Sequence, residues 1–310
     1  MMETTRNFLT TLGLPDGDLH ALPSSEKRFP DGAQYRIEIP STEGPQALEA
    51  IIEEAQRYRL TIHRVSQGSG VMLMTDEEIT TMAQMAHTHH IEVSLFARPN
   101  AAWDTGAMAV SSAGKSVSPR LRGQDQLIYC LEDVQRAASL GIRSVLLADE
   151  GALWVAGEMR KAGLLPQEMQ FKISVMMGSA NPASIRLMEQ LGASTYNIPT
   201  DLTLAQIAAI RQAVDIPLDI YVEVPDDIGG FVRLYEIPEL VRIAAPVYIK
   251  FGLRNAPNIY PAGRHLDAVS VALSRERVRR AKIGMDLLAR YYPDAQSSQA
   301  GAAGLALPVV

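Results

Sequence analysis

The sequence predicts a single (β/α)8 barrel, the TIM-barrel architecture, and three observations support this fold class. Short β-rich runs alternate with helical patterns eight times along the chain. The alternation occupies about 260 residues, the usual size of such a barrel. No Gly-x-Gly-x-x-Gly segment follows the first predicted strand, which makes an open dinucleotide-binding sheet the weaker interpretation.

The predicted strands are short and rich in Val, Ile and Leu, as strands of a parallel sheet usually are. In chain order they are Gln34–Pro40, Thr61–Gln67, Ile91–Arg98, Ile142–Asp149, Gln170–Met177, Ala193–Pro199, Leu218–Val224 and Val247–Leu253. The chain therefore divides into a short N-terminal extension at residues 1–32, the barrel at 33–295 and a tail at 296–310. The tail is expected to be weakly ordered or disordered.

Helical patterns fill the intervals between the strands, and some carry clear start signals. Thr75 and Glu78 form a capping box, and Pro182 suits the first turn of a helix. The predicted helices are Gly44–Arg59, one beginning after Thr75, Gln124–Leu140, Gly151–Ala162, Pro182–Leu191, Leu204–Val214, Tyr235–Ile243 and His265–Tyr292.

A long loop, Pro99–Gly123, interrupts the alternation between the third strand and the next helix. Loops of this length inside a compact domain are usually functional. Because this one leaves the C-terminal end of a strand, where barrel enzymes place their chemistry, we predict that it is a lid over the ligand. Its Gly114-Lys115-Ser116 segment is not a phosphate-binding loop, because no strand precedes it and the required first glycine is Ala109.

Composition excludes several classes of function. The net charge is −6, so the chain lacks the basic surplus expected of a nucleic-acid binder. The single cysteine, Cys130, cannot form an internal disulfide, and no apolar run is long enough to span a membrane. The sequence predicts a cytoplasmic protein with a small-molecule partner, and it is compatible with a homo-oligomer.

Alternation along the strands places charged residues inside the barrel. In the first strand Tyr35, Ile37 and Ile39 alternate with Arg36 and Glu38, and the apolar set must face the helices. The same parity applied to the other strands turns these charged side chains inward: Arg36, Glu38, Glu92, Arg98, Lys172, Asp219, Glu223 and Lys250. Buried charges must be paired or must serve a ligand, because an unpaired one costs several kcal/mol.

Position along each strand separates two interpretations of these charges. Those early in their strands are predicted to form an internal ion-pair lattice: Arg36, Glu92, Lys172 and Asp219. Those at the C-terminal ends are predicted to be functional: Glu38, Arg98, Glu223 and Lys250. Further candidates at strand ends and in loops are Arg64, Asn181, Asn197, Asp226 and Arg254, with His63, Asp149 and Glu150 as outside candidates. His87, His89 and His90 lie at the opposite face and indicate a solvated helix end rather than a metal site.

Part of the chain, about Lys172 to Gly252, resembles the barrel of the peptidase U32 family. The resembling segments are Asn181-Pro-Ala-Ser184, Leu191-Gly-Ala193, Thr203-Leu-Ala-Gln206 and Asp219-Ile-Tyr-Val-Glu223. In that family the strand glutamate precedes a His-Gly-Ala segment and cluster-forming cysteines, whereas here Val224–Gly230 follows and both features are absent. The resemblance implies the barrel and the position of Glu223, and it does not imply peptidase activity or an iron–sulfur cluster.

The first functional hypothesis is an enzyme with lyase or isomerase chemistry on a small anionic carbonyl compound. Arginine forks suit carboxylate and phosphate, and the candidates for this role are Arg64, Arg98 and Arg254, with Asn181 and Asn197 as further substrate-binding residues. Glu38 or Glu223 would act as general acid or base. Lys250 would be the electrophile, proton donor or Schiff-base nucleophile, paired with Glu223 in the resting protein.

Two alternatives stay open beside it. One is a hydrolase, either U32-like or dependent on a metal-activated water. The other is a non-catalytic binding protein whose interior charges are purely structural. The first hypothesis requires no cofactor; a variant of it adds a divalent metal with carboxylate ligands drawn from Glu38, Glu223, Asp149 and Glu150.

Overall fold

Eight parallel strands close into a barrel in which each strand pairs with its neighbours in chain order and β8 pairs with β1, as predicted. The structure is a computed structural model and describes residues 2–98 and 120–310. The strands are β1 Tyr35–Pro40, β2 Arg64–Ser66, β3 Glu92–Phe96, β4 Ser144–Leu147, β5 Gln170–Ile173, β6 Thr195–Asn197, β7 Leu218–Glu223 and β8 Val247–Phe251. Most of the predicted lid lies outside the described residues, at 99–119.

The helices that follow the strands lie where the sequence predicts them, whereas α1 lies in the N-terminal extension, where no helix was predicted. They are α1 Met2–Thr11, α2 Pro45–Tyr58, α3 Asp76–Thr88, α4 Gly123–Ser139, α5 Glu150–Lys161, α6 Pro182–Gln190, α7 Leu204–Ala213, α8 Ile237–Ala244 and α9 Asp267–Tyr291. The capping box of Thr75 and Glu78 starts α3, and Pro182 occupies the first turn of α6. In the described part of the chain, no helix combines the length and apolar character needed to cross a bilayer.

The main apolar core lies between the strands and the helices. Ile37 and Ile39 of β1 are buried there with Leu48 and Ile51 of α2. The same alternation along the other strands sends apolar side chains outward into this core. The strand positions between them turn inward, which leaves the barrel interior to polar and aromatic groups.

The N-terminal extension and the C-terminal residues both pack against the barrel. The Leu19 amide donates to the Ala205 carbonyl (3.1 Å), which ties the extension to α7. Further along, Phe29 packs edge-on against Tyr248, with ring centroids 5.4 Å apart. The first contact lies at the start of α7, and the second places Phe29 near the N-terminal end of the barrel.

Residues 296–310 correct the expectation of a disordered tail. His63 Nε2 lies 2.8 Å from the Ser298 carbonyl oxygen, and Arg36 Nη2 donates to the Ala303 carbonyl (2.7 Å). The Ala306 amide donates to Glu92 Oε2 (3.2 Å). The tail is therefore ordered because its backbone satisfies polar groups of the barrel interior, and it closes the N-terminal end of the barrel.

Candidate functional site

A buried charge lattice, formed by Glu38, Arg64, Glu92, Lys172 and Asp219, fills the middle of the barrel. At its centre Arg64 donates from Nε to Glu38 Oε2 (2.7 Å) and places Nη2 2.5 Å from Asp219 Oδ1. The Arg64 guanidinium also lies over the Tyr248 ring, 3.5 Å from its centroid. This arginine was predicted to bind substrate, but two carboxylates and an aromatic ring already surround it, and its exposure is 0%.

Lys172 links the same two carboxylates from the β5 side. Its Nζ donates to Glu38 Oε2 (2.9 Å) and to Asp219 Oδ2. Burial, and then the charge of Arg64, lower the pKa of Lys172 to about 8 in spite of its acidic partners. The predicted structural role of Lys172, Asp219 and Glu92 agrees with this arrangement, in which every charge has a partner of opposite sign.

Glu38 belongs to the charge lattice rather than to an open site. Its Oε1 accepts a hydrogen bond from Ser66 Oγ (2.7 Å) and lies 3.1 Å from Lys250 Nζ. Its Oε2 accepts hydrogen bonds from Arg64 and Lys172. Burial alone would raise the pKa of Glu38, but the surrounding cations hold it well below its usual range. An ionised carboxylate whose two oxygens both have partners is suited to anchoring Lys250, and not to the general acid/base role expected from the sequence.

A cavity of about 220 Å3, here called the mouth cavity, opens above the lattice at the C-terminal ends of the strands. Two cationic side chains, Lys250 and Arg98, line it. Polar and aromatic residues complete the lining, among them Ser41, Ser66, Phe96, Ser174, Asn197, Tyr221, Asp227, Asn258 and Tyr260. A cavity of mixed lining at this end of a barrel is where a small ligand is expected to bind.

Lys250 stands at the floor of the mouth cavity. Its Nζ lies between the Glu38 carboxylate and the Tyr221 ring, 4.3 Å from the ring centroid. Strand register explains the contacts, since Lys250 is level with Glu38 on one side and with Tyr221 on the other. Lys250 is only 2% exposed, and because it lines the mouth cavity, a ligand would reach its amine through that cavity.

Arg98 forms part of the wall of the same cavity. Its Nη1 donates to the Gly68 carbonyl (2.9 Å), and its guanidinium lies 5.1 Å from the centroid of the Phe96 ring. Burial lowers the pKa of Arg98, although an arginine in this range stays charged. Nearby, the Asn197 amide lies within hydrogen-bonding distance of the Asp219 carbonyl (3.0 Å) and the Val175 amide (3.2 Å), which fixes its orientation in the lining.

Glu223 does not pair with Lys250, so that part of the sequence prediction is wrong. A register irregularity between Tyr221 and Glu223 breaks the alternation at the end of β7. Glu223 Oε1 accepts from the Arg254 amide (3.1 Å), and Oε2 lies 3.7 Å from Nε of Arg280 on α9. The bulge turns this carboxylate away from the barrel axis.

The remaining candidates serve local structure. Asn181 Oδ1 caps α6 by accepting from the Ser184 amide (3.0 Å). Asp149 caps α5 in the same way, and Glu150 pairs with Arg120 (3.4 Å) near the surface. Arg254 pairs with Asp226 (3.3 Å) and is largely exposed. Among residues 2–98 and 120–310, no three His, Cys, Asp or Glu side chains are grouped so as to hold a metal ion, so these carboxylates do not form the metal site considered from the sequence.

Tyr221 and Tyr260 line the mouth cavity but were not singled out from the sequence. Tyr221 alternates with the apolar residues of β7, so the strand pattern predicts that its side chain points inward. In the structure it pairs with Lys250 of the neighbouring strand. Tyr260 comes from the segment after β8, where no pattern predicts a direction. Burial raises the pKa of both phenols far above the usual value, so both remain neutral O–H groups.

Comparison with known proteins supports the barrel and one family resemblance. The sequence profile of Peptidase family U32 matches residues 120–223, about a third of the chain. The match ends at Glu223, the point after which the His-Gly-Ala segment is missing here. No curated protein matches the chain.

One solved structure shows the same architecture at low sequence identity. The YdjI aldolase of Escherichia coli K12 superposes with a TM-score of 0.51 at 14% identity, covering 81% of this chain and 91% of that one. The U32 peptidase Mk0906 gives a TM-score of 0.44 at 15% identity, covering 77% and 98%. At these identities the likeness extends to the fold alone, and the chain is a TIM barrel that resembles peptidase family U32 over residues 120–223.

Proposed function

We propose that the protein is an enzyme acting on a small carbonyl compound that carries a carboxylate or phosphate group, with lyase or isomerase chemistry in the mouth cavity. The observation that carries this proposal is the pair of cationic side chains, Lys250 on the floor and Arg98 on the wall, in one cavity of about 220 Å3. Two cations of different chemistry suit a ligand with an anionic end and a polar carbonyl end.

The two cations have separate roles in this proposal. Arg98 binds the anionic group with its guanidinium, while its bond to the Gly68 carbonyl (2.9 Å) fixes the direction of the side chain. Lys250 meets the carbonyl group. Glu38 positions Lys250 from below, and its own charge is already balanced by Arg64 and Lys172.

Lys250 can act on the carbonyl in two ways. As an ammonium group it donates a hydrogen bond to the carbonyl oxygen, which stabilises negative charge that develops there. As a neutral amine it attacks the carbonyl carbon to form a carbinolamine, which takes up one proton and loses one water molecule; the iminium ion that results withdraws electrons from the neighbouring carbon. Both ways favour breaking a bond, or moving a proton, next to the carbonyl.

Chemical trapping tests the proposal and separates the two roles. The protein is incubated with a library of 2-oxo acids and phosphorylated aldehydes, with ligand binding followed by thermal shift. Sodium borohydride is then added, and the modified peptide is identified by mass spectrometry. An adduct on Lys250 that disappears in Lys250→Met supports the iminium route, and stabilisation without an adduct supports the hydrogen-bonding route. Lys161, which is largely exposed on α5, provides the control variant Lys161→Met. Neither stabilisation nor an adduct with any compound would contradict the proposal.

A hydrolase is the second candidate, favoured by the U32 profile match over residues 120–223. It would use the same mouth cavity, with Arg98 holding a carboxylate of the substrate. Incubation of the protein with a peptide library, with and without added divalent metal, tests it. Cleavage retained in Lys161→Met and lost in Lys250→Met would favour hydrolysis over the carbonyl chemistry.

A further inference from the structure

A second cavity of about 350 Å3, here called the outer cavity, lies beside the mouth cavity. Three chain segments lie between the two cavities, and each segment contributes one residue to the lining of each cavity. Ser41, Gly68 and Tyr260 line the mouth cavity, whereas Glu43, Ser69 and Ala262 line the outer one. These segments, Ser41–Glu43, Gly68–Ser69 and Tyr260–Ala262, are called the partition below.

The Tyr260 ring occupies the middle of the partition and packs directly on Gly68. A Cβ atom added to Gly68 would lie 2.6 Å from Tyr260 Cε1 and 2.9 Å from Cζ. Such a distance is far below van der Waals contact. Gly68 does not have a positive φ, so here a glycine is required for the space that the ring fills, and not for its backbone conformation.

Hydrogen bonds hold the partition together. The Tyr260 hydroxyl donates to Ser41 Oγ, and the Ala262 amide donates to Ser69 Oγ (2.7 Å). Beneath them, Glu43 accepts from the amides of Gly68 (2.7 Å) and Ser69 (3.1 Å). The ring is thus fixed from its hydroxyl end and from its backbone, as expected of a wall that limits the size of a ligand.

We infer that Tyr260 is a specificity-determining residue, which limits the mouth cavity to short carbonyl compounds by blocking the extension of a ligand from Lys250 toward the outer cavity. This inference rests on the proposed function for the nature of the ligand. The geometric part does not, since it concerns only which molecules can reach the Lys250 amine. Removing the ring would join a cavity of about 220 Å3 to one of about 350 Å3.

Reductive alkylation with plain aldehydes measures this access without any need for substrate recognition. The amine and the aldehyde form an imine with loss of water, and cyanoborohydride delivers hydride to the imine carbon, leaving a stable secondary amine. Propanal and octanal are used as the short and long probes. Peptide mapping gives the extent of modification at Lys250 relative to Lys161, which is exposed in all variants and reports the intrinsic reactivity of each aldehyde.

In the wild type we expect propanal, and not octanal, to modify Lys250. Tyr260→Ala should raise octanal modification at Lys250 by about tenfold or more relative to Lys161, the range that a pocket wall gives against an oversized group. Tyr260→Phe keeps the ring and loses only the bond to Ser41, so its pattern should stay close to the wild type. If Tyr260→Ala does not fold, Tyr260→Leu gives the same comparison with a smaller truncation.

Several results would overturn the inference: octanal reaching Lys250 in the wild type, no gain of octanal modification on truncating Tyr260, or no modification of Lys250 by either aldehyde in any variant. The proposed function fails separately, when no 2-oxo acid or phosphorylated aldehyde binds or is trapped. Length selection at Lys250 without such binding would support the partition and contradict the proposed chemistry.

Discussion

At the N-terminal end of the barrel, Arg36 donates to Ser298 Oγ (2.9 Å) and to the Ala303 carbonyl (2.7 Å), under a covering of tail and extension. At the C-terminal end, Arg98 donates to the Gly68 carbonyl (2.9 Å) and lines a cavity. The two arginines are alike in chemistry, and both lie inside or at the rim of the same barrel. Their difference is access, because in residues 2–98 and 120–310 the tail and the extension fill the space around Arg36, whereas Arg98 adjoins a cavity.

The comparison extends to the lysines, and it separates a charge enclosed by the lattice from one that lines the mouth cavity. Lys172 and Lys250 both contact Glu38, at 2.9 and 3.1 Å. Lys172 also contacts Asp219 and does not line the mouth cavity, whereas Lys250 does. Charge type therefore does not distinguish the two lysines; the position of the amine, inside the charge lattice or at the mouth cavity, does, and the proposed function depends on that difference.

The largest effect is expected from the centre of the charge lattice. Arg64→Met keeps an apolar stem but leaves Glu38 and Asp219 short of a cation in a fully buried site. We expect the free energy of unfolding to fall by about 5 kcal/mol, measured by urea denaturation. Arg98→Met, at the open end, is the matched control and should cost much less stability. Similar losses of unfolding free energy in Arg64→Met and Arg98→Met would contradict the distinction between the charge lattice and the mouth cavity.

Deleting residues 296–310 should have the next largest effect. The deletion removes three charge-assisted bonds, from Arg36 to Ser298 Oγ and to the Ala303 carbonyl, and from the Ala306 amide to Glu92. Each such bond contributes about 1.5–3 kcal/mol, so a loss of about 4.5 kcal/mol, the low end of their sum, is expected in urea denaturation. A truncated protein as stable as the full chain would show that the tail does not hold the N-terminal end closed.

Much of this arrangement follows from the sequence, and the exceptions have physical causes. Strand alternation predicts the inward charges, because the apolar residues must face the helices. It fails at Glu223, because a bulge at the end of β7 reverses the side chain, and nothing in the local sequence announces a bulge. The tail was expected to be weakly ordered as a chain terminus, but it binds through backbone groups at Ser298, Ala303 and Ala306, which side-chain patterns do not reveal.

A smaller effect is expected from His63 as the pH is lowered. The Ile37 amide donates to Nδ1 (3.0 Å), so Nε2 carries the hydrogen that bonds the Ser298 carbonyl (2.8 Å). Burial, with a contribution from Arg36, lowers the pKa of His63 from 6.5 to about 4. The unfolded chain then binds the proton first, so stability present above pH 6.5 is lost as the pH falls toward 4, by about 3 kcal/mol.

Urea denaturation of the wild type and His63→Gln across this range measures that loss. The variant lacks the titrating ring, so its stability should fall less steeply between pH 6.5 and 4. Parallel curves for the two proteins would mean that His63 does not titrate as described. No histidine is among the described residues that line the mouth cavity, so we assign this pH dependence to His63 at the N-terminal end.

The most direct test of the division between charge lattice and site compares the free energies of unfolding of Lys172→Met and Lys250→Met. Both variants remove a lysine that contacts Glu38, one inside the charge lattice and one at the mouth cavity. Lys172→Met should cost about 3–5 kcal/mol, because Asp219 and Glu38 both lose a buried partner. Lys250→Met should cost about 1–2 kcal/mol, because Glu38 keeps Arg64, Lys172 and Ser66. Equal losses, or a greater loss for Lys250→Met, would show that Lys250 is part of the structural lattice and would contradict its assignment to the site.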